Sequence, residues 1–362
     1  MKKSIAKLLA LALVLSLILT VFAGCKKAKS EDDITIGVVI WSTDDGLGAD
    51  SKAALDAAAN ALGIKLVYRT GSYDAENQMT DFENLIASGV DGILVTTLVD
   101  TSTDELLKIC EEAGIPMQLM FRNIIDKEAY NYCMASSKFS GYVVESEEGA
   151  GSAMVDKLVE MGCKSIGLMF REAGNGVIDR RQAGVLARLE ELGIEYHTTT
   201  ITNTATATDM TDAAAQLIGA YSNIDGMICS SGSAGTIDGL ITYLEGTDIK
   251  LTSFDTPADL KGSFEAGNLV MLTTGAQIDP MYALICIYRQ IKGNPFSSTP
   301  VEIGSNYIYL EKAEDIATYD TYFSTFKTYT SDEIVKLTEM SYDEIVKEVS
   351  SYSLETVANK NK

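Results

Sequence analysis

The order of apolar runs along the chain constrains its fold more than any other feature, because short strand-like runs alternate with helix-like segments. Residues 34–41, "ITIGVVIW", form a β-branched run, and "SKAALDAAANALG" after it has the pattern of a helix that ends at Gly63. The alternation continues through "IKLVYRT", "AENQMTDFENLIASG", "VDGILVTT", "DTSTDELLKICEEAG" and "IPMQLMF". This order is typical of βαβ units, which build a parallel sheet with helices on both faces.

The same pattern occurs a second time. We expect a helix over about 140–161, and then alternating segments that include "KSIGLMF", "IEYHTTTI", "NIDGMICSS", "IKLTSFD" and "NLVMLTTGAQ". Ile36-Gly37 corresponds to Ile166-Gly167, and "GVDGILVTT" corresponds to "NIDGMICSS". We therefore predict an α/β fold of two similar doubly wound parallel-sheet lobes, with chance likeness between generic α/β segments as the alternative. The remaining 312–362 segment carries two amphipathic pieces with helix-start signals, "SDEIVKLTEM" and "SYDEIVKEVS".

The first 24 residues have the pattern of a secretory signal peptide. Lys2, Lys3 and Lys7 precede a nearly unbroken apolar run over 8–22, and Ala23-Gly24 supply small residues before Cys25. A small-small-Cys ending resembles the lipobox of bacterial lipoproteins, although Phe22 stands where that pattern usually has Leu. We expect export and a lipid on Cys25, followed by a linker over 25–33; an ordinary cleaved signal with an incidental cysteine is the alternative.

Charge and cysteine usage exclude several classes of protein. The net charge of −22 falls to −25 when the three lysines of residues 1–24 are removed, and such an acidic chain repels nucleic acids and anionic membrane surfaces. Five cysteines besides Cys25 are scattered through apolar segments, which favours buried thiols over a disulfide framework or a metal site. His197 is the only histidine, so a histidine-rich metal site is excluded.

Polar and aromatic residues follow the predicted strands, at the edge where parallel sheets bind ligands. Four of the seven arginines lie at or just after these strand ends, and their planar donor groups suit carboxylates, phosphates and vicinal hydroxyls. Together they indicate a site for a small polar ligand, with core packing and surface salt bridges as the alternative. The candidate ligand-binding residues are Trp41, Ser42, Asp44, Asp45, Phe121, Arg122, Phe170, Arg180, Arg181, Ser231, Asp255 and Gln277.

Motifs of the common enzyme classes are missing from the sequence. It contains no GxxxxGK[ST] loop, no GxSxG and no HExxH, and "DGLGADS" lacks the third glycine of GxGxxG. Asp44 and Asp45 could serve as an acid–base pair, but such pairs normally come from two facing strand ends. We expect no cofactor, no metal and no catalysis; a secreted hydrolase using Asp or Ser is the alternative.

Several segments resemble the ribose- and galactose-type periplasmic binding proteins of sugar ABC importers. The resemblance runs from about residue 34 to 309 and is carried by "GIPMQLMFRN", "DRRQAG", "LTSFDTP" and "GNLVMLTTGAQ" among others. It implies that Arg122, Asp255 and Gln277 bind a sugar, together with either Arg180 or Arg181. The sequence departs from the family at Phe121, where Asp is usual, and at Ser231-Gly232, where Asn-Asp is usual. These departures weaken the case for a simple aldopyranose.

The resemblance also implies two lobes joined by a three-crossing hinge. We place lobe 1 at 34–136 plus 278–298, lobe 2 at 137–277 plus 299–311, and a tail at 312–362. The implied function is a monomeric, lipid-anchored, extracytoplasmic protein that closes on a sugar-like solute and passes it to the permease of an ABC importer. A receptor that signals to a membrane partner has the same binding lobes and is the alternative.

Overall fold

The computed structural model describes residues 33–44, 46–70, 75–97, 102–202, 204–232, 235–323 and 326–361, and these contain two six-stranded sheets. The predicted signal peptide, Cys25 and most of the linker lie outside the described residues. The first sheet has the order β11-β5-β4-β3-β1-β2, and the pairings along it are all parallel. Its strands are β1 (Thr35–Val39), β2 (Lys65–Arg69), β3 (Gly92–Val95), β4 (Met117–Met120), β5 (Phe139–Glu145) and β11 (Val301–Ser305).

The second sheet repeats this order as β12-β10-β9-β8-β6-β7, so that the two sheets match strand for strand. Its pairings are parallel except for the antiparallel edge strand β12. The predicted fold class, two similar doubly wound lobes, is confirmed. The strands are β6 (Ser165–Arg171), β7 (Glu195–Ile201), β8 (Gly226–Cys229), β9 (Lys250–Phe254), β10 (Leu269–Thr274) and β12 (Ile308–Leu310).

Helices connect successive strands, as the alternating pattern predicts. Many begin at side-chain caps; Asn175, for example, accepts hydrogen bonds from the backbone N–H groups of Val177 and Ile178. The helices of the two lobes are α1 (Gly46–Leu62), α2 (Ala75–Ala87), α3 (Thr103–Ala113), α4 (Lys127–Ala135), α5 (Glu147–Glu160), α6 (Gly176–Leu192), α7 (Ala207–Ala220), α8 (Thr236–Leu244), α9 (Leu260–Glu265) and α10 (Asp279–Ile291).

The helix expected over 140–161 is wrong in its first part, because Phe139–Glu145 is the buried strand β5. Gly141 has φ of 120°, which no helix contains, and a Cβ there would lie 2.0 Å from the carbonyl oxygen of Val301. Glycine therefore lets β5 and β11 approach closely. Only the part of the expected helix from Glu147 onward is helical.

The strand pairing puts two of the three crossings at positions that differ from the predicted ones. Both β5 and β11 pair within the first sheet, so the chain leaves the first lobe after Glu145 and after Ser305. The lobe bounds predicted from the sequence put these crossings near 136 and 298. The third crossing runs over 275–278, between β10 and α10.

The tail packs against the first lobe and the crossings. Its helices are α11 (Ala313–Tyr322), α12 (Ser331–Leu337), α13 (Tyr342–Ser351) and α14 (Leu354–Lys360), and their apolar faces share one buried cluster with α1 and α10. The Tyr329 ring stacks with Tyr352, and its hydroxyl lies 2.6 Å from that of Tyr282 on α10. The same cluster includes Leu260 on α9 of the second lobe, so the tail reaches both lobes.

Five cysteines of the described part are buried thiols without disulfide bonds, as predicted. Within the same residues, no helix is both long enough and apolar enough to span a bilayer.

Helices α5 and α6 are packed with their backbones in contact through two glycines. A Cβ on Gly151 would lie 2.2 Å from the carbonyl oxygen of Arg181, and one on Gly184 would lie 2.2 Å from that of Glu148. Any larger side chain would force the helices apart. This close packing brings the first turn of α5 against the side of α6 that carries Arg181.

We expect Gly151→Ala to lower the free energy of unfolding by about 1–3 kcal/mol, because the methyl group overlaps a backbone carbonyl that cannot move without shifting α6. Urea denaturation measures the change. Gly219→Ala is the matched control, since Gly219 lies on α7 with open space around its Cα, and alanine should be neutral or stabilising there. Equal stability of the two variants would contradict the close packing of α5 on α6.

Candidate functional site

In both sheets, the carboxyl ends of the parallel strands lie on the side where the chain crosses between the lobes. The chain leaves the first sheet from the carboxyl ends of β5 and β11, and it leaves the second sheet from that of β10. Loops that follow the other parallel strands emerge at the same edges. The arrangement therefore gathers the residues at the strand ends along the boundary between the lobes, which is where open α/β sheets bind ligands.

At the first sheet, two aromatic rings and an arginine follow β1 and β4, the strands on either side of β3. Trp41 and Phe121 lie with ring centroids 5.4 Å apart. Arg122 is half-buried and donates from Nε to the carbonyl oxygen of Thr97 at 3.2 Å and from Nη1 to that of Phe121 at 3.0 Å. These bonds pin the base of the guanidinium beside the aromatic pair. Ser42 Oγ accepts from the backbone N–H of the exposed Asp44 and so shapes the loop after β1.

Phe121 and Asp255 occupy equivalent positions in the two lobes, and both have left-handed backbones. Phe121 follows β4 with φ of 62°, and Asp255 follows β9 with φ of 66°; β4 and β9 hold the same place in their sheets. Positive φ is strained for residues other than glycine and is more costly for phenylalanine than for aspartate. Strain of this kind concentrates at ligand sites, and here it recurs in both halves of the duplicated fold.

At the second sheet, Arg181 is buried and held from several sides. Its guanidinium donates to Glu147 Oε2 at 2.9–3.0 Å and to the carbonyl oxygen of Ser230 at 2.7 Å, and it lies 3.3 Å from the centroid of the Phe254 ring. Tyr307 donates to Glu147 Oε1 at 2.7 Å and accepts from Arg181 at 3.3 Å. Arg181 thus joins α6 to the first and last crossings through hydrogen bonds.

The electrostatic surroundings keep Arg181 charged. Burial alone would lower the pKa of its guanidinium, but Glu147, Tyr307 and Asp255 outweigh burial and raise that pKa above the usual value of arginine. The Asp255 carboxylate therefore lies within electrostatic reach of Arg181. Its Oδ2 also accepts from the backbone N–H of Gly232 at 2.9 Å, which fixes the loop after β8.

Three other predicted site residues of the second lobe contact neighbouring protein groups. Ser231 is buried, and its carbonyl oxygen accepts from the guanidinium of Arg171. Phe170 belongs to the same buried cluster as Phe254. Arg180 is half-buried, and its Nε lies 3.9 Å from Glu148. The buried arginine within electrostatic reach of Asp255 is therefore Arg181 and not Arg180.

Gln277 lies in the crossing between β10 and α10 and contacts the tail. Its amide nitrogen donates to the hydroxyl of Tyr319 on α11 at 3.1 Å, and that hydroxyl also lies 3.0 Å from Thr274 Oγ1. Only 2% of Gln277 is exposed. Asp50, on α1 of the first lobe, lies near the same tyrosine, and burial raises the pKa of its carboxyl to about 6.

The structure groups six of the twelve predicted residues into three sets. Outside these sets are Ser42, Asp44, Phe170, Arg180 and Ser231, and Asp45 lies outside the described residues. Trp41, Phe121 and Arg122 form one set, Arg181 and Asp255 a second, and Gln277 with the tail a third. Sequence reasoning missed Glu147, Tyr307 and Tyr319. Glu147 is one of several acids at a helix start, Tyr307 lies between two short strands, and Tyr319 lies on a helix of the tail, so none of them follows a strand that periodicity identifies.

The chemistry available in these sets is hydrogen bonding and stacking. Guanidinium donors, one carboxylate and aromatic faces recognise hydroxyl groups and planar or apolar faces of a small solute. Across the described residues, no group of three or more His, Cys, Asp and Glu side chains is placed to hold a metal ion. His197 stacks on Tyr221, with ring centroids 3.7 Å apart, at the edge strand β7.

Comparison with known proteins places this geometry in a family. Residues 36–291 match the sequence model of the periplasmic binding protein domain. Over 152 residues the chain is 25% identical to the galactofuranose-binding protein YtfQ of Escherichia coli, a match that spans 41% of this chain and 46% of that protein. The chain therefore aligns with less than half the length of this curated relative.

Solved structures share the fold over most of this chain. A solute-binding protein of an ABC transporter from Agrobacterium vitis, bound to α-D-tagatopyranose, superposes with a TM-score of 0.67 at 17% identity, covering 80% of this chain and 99% of the other. A counterpart from Bacillus halodurans with bound myo-inositol gives a TM-score of 0.64 at 18% identity, with coverages of 80% and 98%. Because the family model spans more than half of the chain, this protein belongs to the periplasmic binding protein family.

Proposed function

We propose that this protein is an extracytoplasmic solute-binding lipoprotein that closes its two lobes on a sugar or sugar-like solute and delivers it to an ABC importer. It acts without catalysis or a cofactor and works as a monomer. The ligand stabilises the closed arrangement because it contacts both lobes at once, and the permease then recognises that arrangement. The family and the names of its relatives support the importer and sugar classes.

One observation carries the proposal: strained residues at equivalent strand ends of both lobes, each beside an arginine. Phe121 precedes Arg122 and packs at a tilt against Trp41, while Asp255 lies within electrostatic reach of the buried Arg181. Positive φ at both places marks strained backbone at the strand ends that border the boundary between the lobes. Two such edges facing one solute would supply donors from arginine, an acceptor from Asp255 and an aromatic face.

Phe121 in the first lobe bears on which class of ligand the site can bind. The side chain of Phe121 offers no hydrogen-bond acceptor, and its ring packs against Trp41 with the two ring planes 60° apart. A solute that presents an apolar face there, such as the C–H face of a sugar ring or a deoxy position, is a better fit than one with hydroxyls on every side. We propose Trp41, Phe121 and Arg122 for one face of the solute, and Arg181, Asp255 and Gln277 for the other.

A thermal-shift screen of pentoses, hexoses in pyranose and furanose forms, and cyclitols tests the ligand class. At least one compound should raise the melting temperature, since a ligand that binds only the folded state stabilises it by mass action. Arg122→Ala should lower the affinity for that compound more than tenfold, because the guanidinium is held at the base of the aromatic pair, while changing the unliganded free energy of unfolding by no more than about 1–2 kcal/mol.

Arg188→Ala is the matched control for this experiment. Arg188 is an arginine of the second lobe, and its ion pairs run to Asp156 on α5 and Glu191 on α6, away from Arg122. Its replacement should leave the ligand-induced shift intact. A normal shift in Arg122→Ala would move the site away from this strand end, and a screen without any shift would argue against the sugar class.

Lipid anchoring rests on the small-small-Cys pattern that ends at Cys25. In a bacterial host, the wild-type protein should incorporate a radiolabelled fatty acid and remain with the membrane fraction. Cys25→Ser should abolish the label and shift the protein to the soluble or medium fraction, because the cysteine sulfur is the atom to which the lipid is attached. Labelling that survives the substitution, or a wild-type protein without label, would contradict the anchor.

A further inference from the structure

The three crossings between the lobes meet at one buried group of side chains. Glu145 ends β5, Asp279 begins α10 and Ser305 ends β11, so each belongs to a different crossing. Their exposed fractions are 5%, 0% and 4%. Ser305 Oγ donates to Asp279 Oδ1 at 2.5 Å, and the Glu145 carboxyl lies within hydrogen-bonding reach of the Asp279 carboxyl. Hydrogen bonds therefore join the crossings inside the hinge.

Two carboxyl groups can share a hydrogen bond only when a proton lies between them. Side by side and out of water, they cannot both be ionised. In the described structure, Glu145 Oε1 and Asp279 Oδ2 receive no donor from any other group. Asp279 lies in the first turn of α10, where the helix dipole favours an anion, and it accepts from Ser305. The proton therefore belongs on Glu145, which donates to Asp279; we call these two residues the hinge carboxyl pair.

Burial and nearby charges also favour a proton on the hinge carboxyl pair. Burial raises the pKa of both members of the hinge carboxyl pair, and the negative charge of Glu147 on α5 raises each further. Tyr307 from the last crossing, Tyr282 from α10 and Tyr352 from the tail also face the pair, and these phenols remain neutral near pH 7. Arg181 does not neutralise the pair, because its guanidinium is bound to Glu147.

We propose that the hinge carboxyl pair is a proton-operated latch: while it shares a proton the three crossings stay joined, and when the proton leaves, the crossings separate and the lobes change their relative orientation. Loss of the proton puts two negative charges in hydrogen-bond contact without water. The crossings are the chain segments around which the lobes turn, so they relieve this repulsion by moving apart.

The direction of the pH dependence follows from the sign of the shift. A carboxyl whose pKa is raised in one arrangement stabilises that arrangement at low pH and stops doing so as the pH rises through the raised value. The arrangement described here is therefore favoured in mildly acidic solution. The change would reach the second-lobe site, because Glu147 and Tyr307 border the pair and hold Arg181.

The latch can be tested without knowing the ligand. We expect the radius of gyration from small-angle scattering, together with the fluorescence of Trp41, to show one reversible transition in the ligand-free protein between about pH 5 and 9. Trp41 is the only tryptophan and lies at the strand ends of the first lobe. Glu145→Gln and Asp279→Asn should each abolish the transition, since neither leaves two like charges in contact.

Two further variants make the test specific. Glu160→Gln removes an exposed carboxyl at the end of α5 and should keep the wild-type transition. Ser305→Ala should shift the midpoint upward by up to about one pH unit, because Asp279 loses the donor that stabilises its anion. This variant changes no charge, so it reports on the latch even if Glu145→Gln or Asp279→Asn fails to fold.

A wild-type protein without a transition would overturn the latch, as would a transition that persists in both neutral variants or a midpoint that Ser305→Ala leaves unchanged or lowers. The latch depends on the crossings alone. Its failure would leave the proposed solute binding untouched, and a failed ligand screen would leave the latch standing.

Discussion

The buried ion pair between Arg181 and Glu147 is the interaction on which the arrangement around the hinge depends. It links α6 to the start of α5, and through Tyr307 it reaches the last crossing. Removing one partner of a buried pair typically costs about 3–5 kcal/mol, because the other charge stays without compensation. The pair forms only because Gly151 and Gly184 let the two helices touch. Two small residues thus determine where a charged group lies.

This network continues into the hinge. Glu147 contacts Arg181 on one side and acts on the buried carboxyls of Glu145 and Asp279 on the other. One continuous set of hydrogen bonds and charges therefore runs from the candidate ligand site to the segments around which the lobes turn. A change at either end alters the electrostatic energy at the other, which is the physical requirement for coupling binding to closure.

The tail adds a feature that lies outside the region matched by the family model, which ends at residue 291. Its helices pack on the first lobe, and its Tyr319 binds Gln277 and Thr274 beside the middle crossing. The tail therefore contacts both lobes and a crossing. The polar composition of the tail does not reveal these contacts, which its buried tyrosines make.

How much of the protein could be read from the sequence differs between fold and site. The alternation of apolar runs identified the duplicated α/β lobes, since periodicity is local and survives without knowledge of the partner strands. Periodicity did not identify the strand Phe139–Glu145, because a buried strand and a buried helix have similar apolar patterns over so few residues. Residues near the predicted strand ends include Arg122, Arg180, Arg181 and Asp255. The sequence could not distinguish Arg180 from Arg181, because they are adjacent on one helix.

By itself, the sequence determined the fold class, the resemblance to a family and the residue types available at the strand ends, because these follow from local patterns. Only the tertiary structure decided that Arg181 is the buried arginine, that Phe121 and Asp255 share a strained backbone, and that three crossings bring two carboxyls into contact. Glu145 and Asp279 lie more than a hundred residues apart in the sequence. Their shared proton arises from burial and proximity, which depend on the packing of distant segments and on no local pattern.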